Sequence, residues 1–440
     1  MGDYLALMMF PALLLALFLG FPVAFSMMGV ALFFGLVTFD TAVIFQFVQK
    51  VDAMASNFVL AAVPLFIFMG SMLERSGIAG KLFEAVHLWT RRLPGGLAVG
   101  TIVMCVIFAA STGVIGATET VVGLLAIPVM LKYAYDKGLI SGTICAGGSL
   151  GTIIPPSVVV VVLGPVADVS VGDLFVGMMF PGLIMATLYI AYILIRCTID
   201  PKAGPVLPKS DDEPSLIEKV RITLIALAPP VAMIVAVLGS IMFGFAAPTE
   251  AAALGALGSI LLAVIYKQFS FSILHEAVLK TLKVTCMIML ILLGGNMFAG
   301  VFVASGGVWL AEDLIQAANL APWATLVVFL FICFLAGFIL DWISVLLIFI
   351  PVFIPIVKSM GFDPVWFCVL FLVVIQTSYL TPPMAPAIFY LRGISPPEIT
   401  LRHMFRGVIP FIVIQVLCLV IVALFPQSVL WLPEQLLGFK

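Results

Sequence analysis

Gly151-Thr152-Ile153-Ile154-Pro155-Pro156-Ser157 and Ser378-Tyr379-Leu380-Thr381-Pro382-Pro383-Met384 stand at corresponding places in the two halves of an almost wholly apolar chain. Proline has no backbone N–H and its ring blocks the helix. A Pro-Pro pair inside an apolar run therefore breaks a membrane helix and frees carbonyls to face a ligand. Matched breaks in two repeats point to a substrate and ion site near the bilayer midplane of a transporter.

Working outward, 63% of the 440 residues are hydrophobic and only 10% are charged, whereas water-soluble domains carry roughly 25% charged residues. Tyr4 to Phe39 holds no charge, and Leu93 to Leu131 and Ile222 to Tyr266 hold one each. Each run exceeds the ~20 residues that span a bilayer. No Lys or Arg precedes the first run, which is too long for the apolar core of a secretory signal, so it is expected to remain as a membrane segment. The seven cysteines are scattered without a CxxC pair and read as small core hydrophobes. His87, His275 and His403 lie near charged loops and share no helix face, so neither zinc nor haem is expected. No cofactor and no nucleic-acid partner is expected.

The halves align by their punctuation. Ser76-Gly77 matches Ser305-Gly306, Pro94 matches Pro322, Pro128 matches Pro351, Gly138 matches Gly361, Pro155-Pro156 matches Pro382-Pro383, and Gly182 matches Gly407. The offsets are 229, 228, 223, 223, 227 and 225 residues. So small a drift is what two diverged copies show. Arg75 to Arg92 carries four bases, while its counterpart Ser305 to Pro322 has none and carries Glu312 and Asp313. The positive-inside rule puts the first in the cytoplasm and the second outside, so the repeats are inverted. The stretch Arg196 to Arg221, with five bases and a polar Pro/Lys/Asp-rich segment, reads as a cytoplasmic linker between them.

A thread follows. Phe58 to Leu73 crosses inward, and Gly77 to Leu93 forms an amphipathic surface arm. Gly95 to Ala110 and Thr120 to Tyr135 enter and leave on one side as a re-entrant hairpin, because Arg92 before them and Lys132 and Lys137 after them are basic. Ile140 to Ala167, broken at Pro155-Pro156, crosses outward, and Leu174 to Ile195 returns. In the second half the hairpin is Trp323 to Ile339 with Ser344 to Val357, and the broken crosser is Val365 to Leu391. The fold class read from the chain is an all-α polytopic membrane protein of two inverted-topology repeats, each with a re-entrant helical hairpin and a broken helix. The expected division is 1–92, 93–195, a linker at 196–221, 222–322 and 323–440.

Glu119, Glu250 and Asp341 stand alone in otherwise uncharged runs, at a cost of roughly 2.5–3.5 kcal/mol each on insertion scales unless paired or wet. Glu250, after Pro248-Thr249 at a helix start, reads as a cap. Glu119 and Asp341, at the hairpin tips, read as groups near the site, with proton carriage by Glu119 as the alternative. A coupling cation would take hard oxygen ligands, which unwound carbonyls and hydroxyls supply. The candidates on the first side are Ser111, Thr112, Gly113, Gly116, Thr118, Glu119, Gly148, Gly151, Thr152, Pro155 and Pro156. On the second they are Leu340, Asp341, Ser344, Gln376, Thr377, Ser378, Thr381, Pro382 and Pro383. Small residues also allow close helix packing in membranes, so any one of them has that second reading. No Lys or Arg lies in either tip, so an anion would meet hydroxyls, amides and helix N-termini.

Five segments in order resemble the large membrane subunit of the tripartite ATP-independent periplasmic (TRAP) transporters: Leu19-Gly20-Phe21-Pro22-Val23-Ala24, Pro64-Leu65-Phe66-Ile67, Ser149 to Ser157, Ala247-Pro248-Thr249-Glu250-Ala251-Ala252-Ala253, and Gln376 to Pro383. The resemblance implies an elevator transporter with scaffold and transport domains in a bacterial inner membrane, driven by sodium. It also implies two partners on separate chains: a small membrane subunit of about four helices, and a periplasmic binding protein that delivers an organic anion such as a carboxylate or sulfonate. Many members have Asn and Gly before the second Thr-Pro-Pro, where this chain has Val374 and Ser378, and a Gly after it, where it has Ala385 and Pro386. The runner-up within transporters is a self-sufficient divalent-anion sodium symporter. A membrane enzyme lacks any nucleophile or paired-carboxylate motif here, and a channel does not account for two hairpins with matched broken helices.

Overall fold

The computed structural model describes residues 5–112, 116–207, 214–383 and 385–438. Among them every regular element is helical. The first half runs α1 (Leu5–Phe18), α2 (Val23–Phe39), α3 (Ala42–Ala55), α4 (Ala62–Arg75), α5 (Ile78–Thr90), α6 (Gly96–Thr112), α7 (Ala117–Lys132), α8 (Lys137–Ser149), α9 (Val158–Ala167), α10 (Val171–Gly177) and α11 (Met179–Ile199). The second runs α12 (Leu216–Met242), α13 (Pro248–Ile265), α14 (Phe271–Ala304), α15 (Gly307–Ala317), α16 (Pro322–Ala336), α17 (Trp342–Ser359), α18 (Pro364–Leu380), α19 (Pro386–Ile394), α20 (Leu401–Leu424) and α21 (Gln427–Leu437).

The elements α5 to α9 and α15 to α19 are alike in kind and order. Each series has a short arm, a two-helix hairpin and a helix that stops and restarts around Pro-Pro. The arms even start alike: Gly77 and Gly306 precede them at φ of +69° and +81°, a left-handed conformation that glycine adopts without strain. Caps fix where other helices begin. Asp136 accepts from the Leu139 N–H at 2.9 Å to start α8, and Asp363 accepts from Val365 at 2.8 Å to start α18.

Among the described residues seven helical segments are long and apolar enough to cross a membrane: Phe58–Arg75, Val171–Ile199, Leu216–Met242, Pro248–Ile265, Phe271–Ala304, Trp342–Ser359 and Leu401–Leu424. Large apolar side chains face outward on α3, α12 and α16, Phe45, Val235 and Val327 among them. In water such a surface would drive association; in lipid it is the solvated face. The chain is an all-helical polytopic membrane protein.

The break-bearing helices form the centre. Every residue of α8 from Gly138 to Ser149 and of α18 from Trp366 to Leu380 is buried, the pattern of helices enclosed on all sides. α20 reaches α8 through glycine, since a Cβ on Gly407 would come within 3.1 Å of the Gly138 Cα. α7 packs on α19 and α17 packs on α9, so each hairpin touches the far piece of the other half's broken helix.

The arm read as lying at the surface is half enclosed. Ile78, Leu82, Phe83, Ala85 and Val86 of α5 are buried, Trp89 Nε1 donates to Thr223 Oγ1 at 2.8 Å, and the Lys81 ammonium lies 4.2 Å from the Tyr266 ring centroid. Its apolar stripe has protein to face, α6 and α12, rather than only the membrane interface. The cysteines are free thiols, all buried except Cys286.

Candidate functional site

The first break begins where α8 ends at Ser149. Leu150–Thr152 forms one 3-10 turn, residues 153–157 are irregular, and α9 restarts at Val158. In the second, α18 ends at Leu380 and α19 restarts at Pro386. A proline cannot donate to the carbonyl four residues back, so Gly151 and Thr152 before the first pair and Ser378 and Tyr379 before the second lose their regular helical partner; Ser378 is capped instead by the Thr381 N–H at 3.1 Å. The two breaks differ in setting: Pro155 and Pro156 are buried, whereas Pro382 and Pro383 are exposed.

The hydroxyls around the breaks share one arrangement. Ser111 donates to the Ile107 carbonyl at 2.8 Å, Thr152 to Ser149 at 2.9 Å, Thr377 to Val373 at 2.8 Å, Ser378 to Ile375 at 2.8 Å and Thr381 to Thr377 at 2.7 Å. A hydroxyl whose proton is committed to its own helix presents only lone pairs elsewhere, the property a cation ligand needs. Gly113 and the side chain of Thr112 lie outside the described residues.

Each hairpin tip is closed by a carboxylate at a helix start. Glu119 Oε2 accepts from the Gly116 N–H at 2.7 Å, one turn back at the start of α7. Its Oε1 is buried without a hydrogen-bond partner among the described residues, with the Tyr379 hydroxyl close by. Asp341 caps α17, accepting from the Ile343 N–H at 3.2 Å and from the Ser344 hydroxyl. Glu250 does the same for α13, accepting from Ala247 N–H at 2.8 Å. All three solitary acids therefore sit at positive helix ends, where a carboxylate is favoured by roughly 0.3–1 kcal/mol. That is the cap expected of Glu250, and it extends to the two acids read as site groups.

Close glycine contacts bring each tip onto its own half's break-bearing helix. A Cβ on Gly148 of α8 would lie 2.8 Å from Glu119 Oε1, and one on Gly337, at the second tip, would lie 2.6 Å from the Ser378 Cβ of α18. Where the two halves meet, Gln376 Nε2 donates to Ser149 Oγ at 3.0 Å, and Gln415 Nε2 approaches the same oxygen at 3.4 Å. Ser149 and Gln376 are 227 residues apart, the same offset as the two Pro-Pro pairs. Residues far apart in the chain thus meet between the two breaks.

Beside these tips opens a cavity of about 840 Å³. Gly116, Thr120, Gly337, Leu340, Asp341, Ser378 and Tyr379 line one wall; Pro22 with Val23 to Phe25 of α2, Ile67 and Glu74 of α4, and Lys280, Ile288 and Ile291 of α14 line the other. Of the residues expected at the site, Gly116, Leu340, Asp341 and Ser378 reach this cavity. Thr118, Glu119, Gly148, Gly151, Thr152, Pro155, Pro156, Ser344, Gln376 and Thr377 are buried behind it. Gln415, Glu74 and Lys280 are not among the residues expected from the sequence, while Tyr379 lies within the expected segment Ser378 to Met384. Pro22 to Ala24 had a signal, the resemblance segment that contains them, while neither Glu74 nor Lys280 enters the reading of the sequence.

Residues 10–428 match the family model described as "Tripartite ATP-independent periplasmic transporter, DctM component". The C4-dicarboxylate TRAP transporter large permease protein DctM of Pseudomonas aeruginosa is 29% identical over 88% of this chain and 89% of its own length. The sialic acid TRAP transporter large permease protein SiaM of Vibrio cholerae is 29% identical over 96% and 97%. The crystal structure of the Alcanivorax borkumensis YdaH transporter superposes with a TM-score of 0.63 at 14% identity, covering 88% of this chain and 89% of that one, a likeness of fold alone. Two helix breaks beside a cavity, in an all-helical membrane protein whose relatives are permeases and not enzymes, agree with the family match over nearly the whole length. The chain belongs to the DctM component family of the tripartite ATP-independent periplasmic transporters.

Proposed function

We propose that this chain is a sodium-coupled secondary transporter that takes up a small organic anion of the carboxylate or sulfonate class across a bacterial inner membrane. Its substrate would arrive on a periplasmic binding protein, and a small membrane subunit would complete the complex. The words "tripartite", "periplasmic" and "large permease" in the family and relatives' names support that division of labour. The relatives' names carry different substrates at the same identity.

The observation that carries the reading is the paired construction: each hairpin tip sits on its own half's break-bearing helix, Glu119 on Gly148 and Gly337 on Ser378, and Ser149 meets its counterpart Gln376 between them. This supports two inverted repeats that bring two similar oxygen-rich cages to one cavity, and transport by movement of that unit against α2, α4 and α14. The charges suggest how coupling works. The N-terminal ends of α7 and α17 reach the cavity and would attract an anion, but each already holds a carboxylate, Glu119 or Asp341. An ionised carboxylate repels an arriving anion; a sodium ion bound beside it on the hydroxyl and carbonyl oxygens cancels that charge. The anion would then bind well only after sodium.

The test is uptake into proteoliposomes containing both membrane subunits and the binding protein, with succinate, N-acetylneuraminate and isethionate as probes. An inward sodium gradient should drive uptake, and a proton gradient alone should not. Uptake that follows the proton gradient and disappears in Glu119→Gln would establish proton coupling instead.

A further inference from the structure

We infer that Lys280 is the cationic contact for the transported anion at the cytoplasmic end of the cavity, and that Glu74 is an exchangeable internal substitute for that anion. The inference rests on the proposed uptake of an organic anion and adds a residue from outside the two hairpin cages.

Lys280 is the only base among the described residues lining the cavity. Its Nζ donates to Glu74 Oε2, and the two side chains are 32% and 20% exposed, so the pair is wet enough to open and dry enough to matter. On α14 the wall residues Lys280, Val284, Met287, Ile288 and Ile291 lie on one helix face, so Lys280 marks one end of the cavity, roughly 16 Å along the helix from Ile291. That end is the cytoplasmic one by charge: Glu74 is followed directly by Arg75, Lys81, Arg91 and Arg92. An anion leaving the tips toward the cytoplasm passes the pair.

A tie between α4 and α14 does not require this pair to face the cavity. Arg75 and Glu276, the neighbours of Glu74 on α4 and one turn from Lys280 on α14, already bridge the same two helices, and neither lines the cavity. Replacing Glu74 by a substrate carboxylate or sulfonate exchanges one charged hydrogen bond for another. The ammonium is never left bare, and the cost of stripping water from it has been met by the fold.

The two readings of the pair predict opposite mutant patterns. If Lys280 receives the anion, Glu74→Gln frees it and tightens binding from the inside, whereas Lys280→Gln weakens it. If the pair is a structural tie, both changes act in the same direction. The readout is the internal concentration of the anion, whichever of succinate, N-acetylneuraminate and isethionate is taken up, that halves uptake into preloaded proteoliposomes. Expected are a rise of roughly three- to tenfold for Lys280→Gln and a fall of similar size for Glu74→Gln, scaled down for partial exposure. Lys280→Arg should stay near wild type, the double variant should resemble Lys280→Gln, and Arg75→Gln, as the control, should change little. Shifts of one sign in both single variants, or none, overturn the inference while leaving the uptake reading intact. Absence of sodium-driven uptake of every probe by the wild-type complex defeats the uptake reading and this inference with it.

Discussion

Replacing Gly337 by alanine inserts a methyl where the second hairpin tip meets α18. The backbone permits it, because Gly337 sits at φ −65° and ψ −7°, so the effect is purely one of space. The new Cβ would lie 2.6 Å from the Ser378 Cβ, well inside van der Waals contact, and one of the two elements must move. Overpacking of this kind costs about 1–3 kcal/mol. If that strain is expressed as displacement of the Ser378 hydroxyl from the cage, half-saturating sodium for uptake should rise by roughly fivefold to a hundredfold. Initial uptake rates against sodium concentration in proteoliposomes, with thermal unfolding of the same preparation, separate site from fold. Gly337→Ala with Ser378→Gly should recover thermal stability without recovering sodium affinity, because the space returns and the hydroxyl does not. Gly29→Ala, which meets nothing within 4 Å, should leave sodium dependence unchanged. An unaltered half-saturation in Gly337→Ala would refute the contact between tip and break as a determinant of the ion site.

Three further outcomes are expected. Pro155-Pro156→Ala-Ala supplies two N–H donors and removes the rings, so helix should extend through the break and uptake should fall at least tenfold while the protein still inserts, checked by uptake per molecule of reconstituted transporter. Glu119→Gln keeps an oxygen for the Gly116 N–H and should retain the thermal stability that Glu119→Ala loses by about 1 kcal/mol, yet it should weaken the sodium requirement for uptake. His87 lies on the arm outside the spans, where burial against Phe83 lowers its pKa to about 4. The unfolded chain then binds more protons than the folded one between that value and the ordinary 6.5, so stability is full above pH 6.5 and is lost as pH falls. His87→Gln should flatten the decline of unfolding temperature over that interval.

Much of this arrangement was legible in the chain because membrane helices carry their punctuation locally. Pro155-Pro156 and Pro382-Pro383 marked helix breaks, Gly116 and Leu340-Asp341 marked hairpin tips, and Gly77 and Gly306 marked the arms. Contacts made across sequence distance were not legible. Nothing near Ser149 announces that it will meet Gln376, or near Glu74 that it will meet Lys280, 206 residues away. The acids show a subtler limit. A lone carboxylate in an apolar run signals either a cap or a binding group, and Glu119 and Asp341 do the first while standing where they would do the second. The arm α5 held the same ambiguity, since an amphipathic stripe is equally suited to lipid and to protein, and here it meets α6 and α12.

Equilibrium binding of radioactive sodium to the purified complex tests the paired-cage site most directly. Two matched cages predict saturable binding of two ions, with one site lost in Gly337→Ala and the other in Pro155-Pro156→Ala-Ala. No saturable sodium binding, or the same stoichiometry and affinity in both variants as in the wild type, would contradict it.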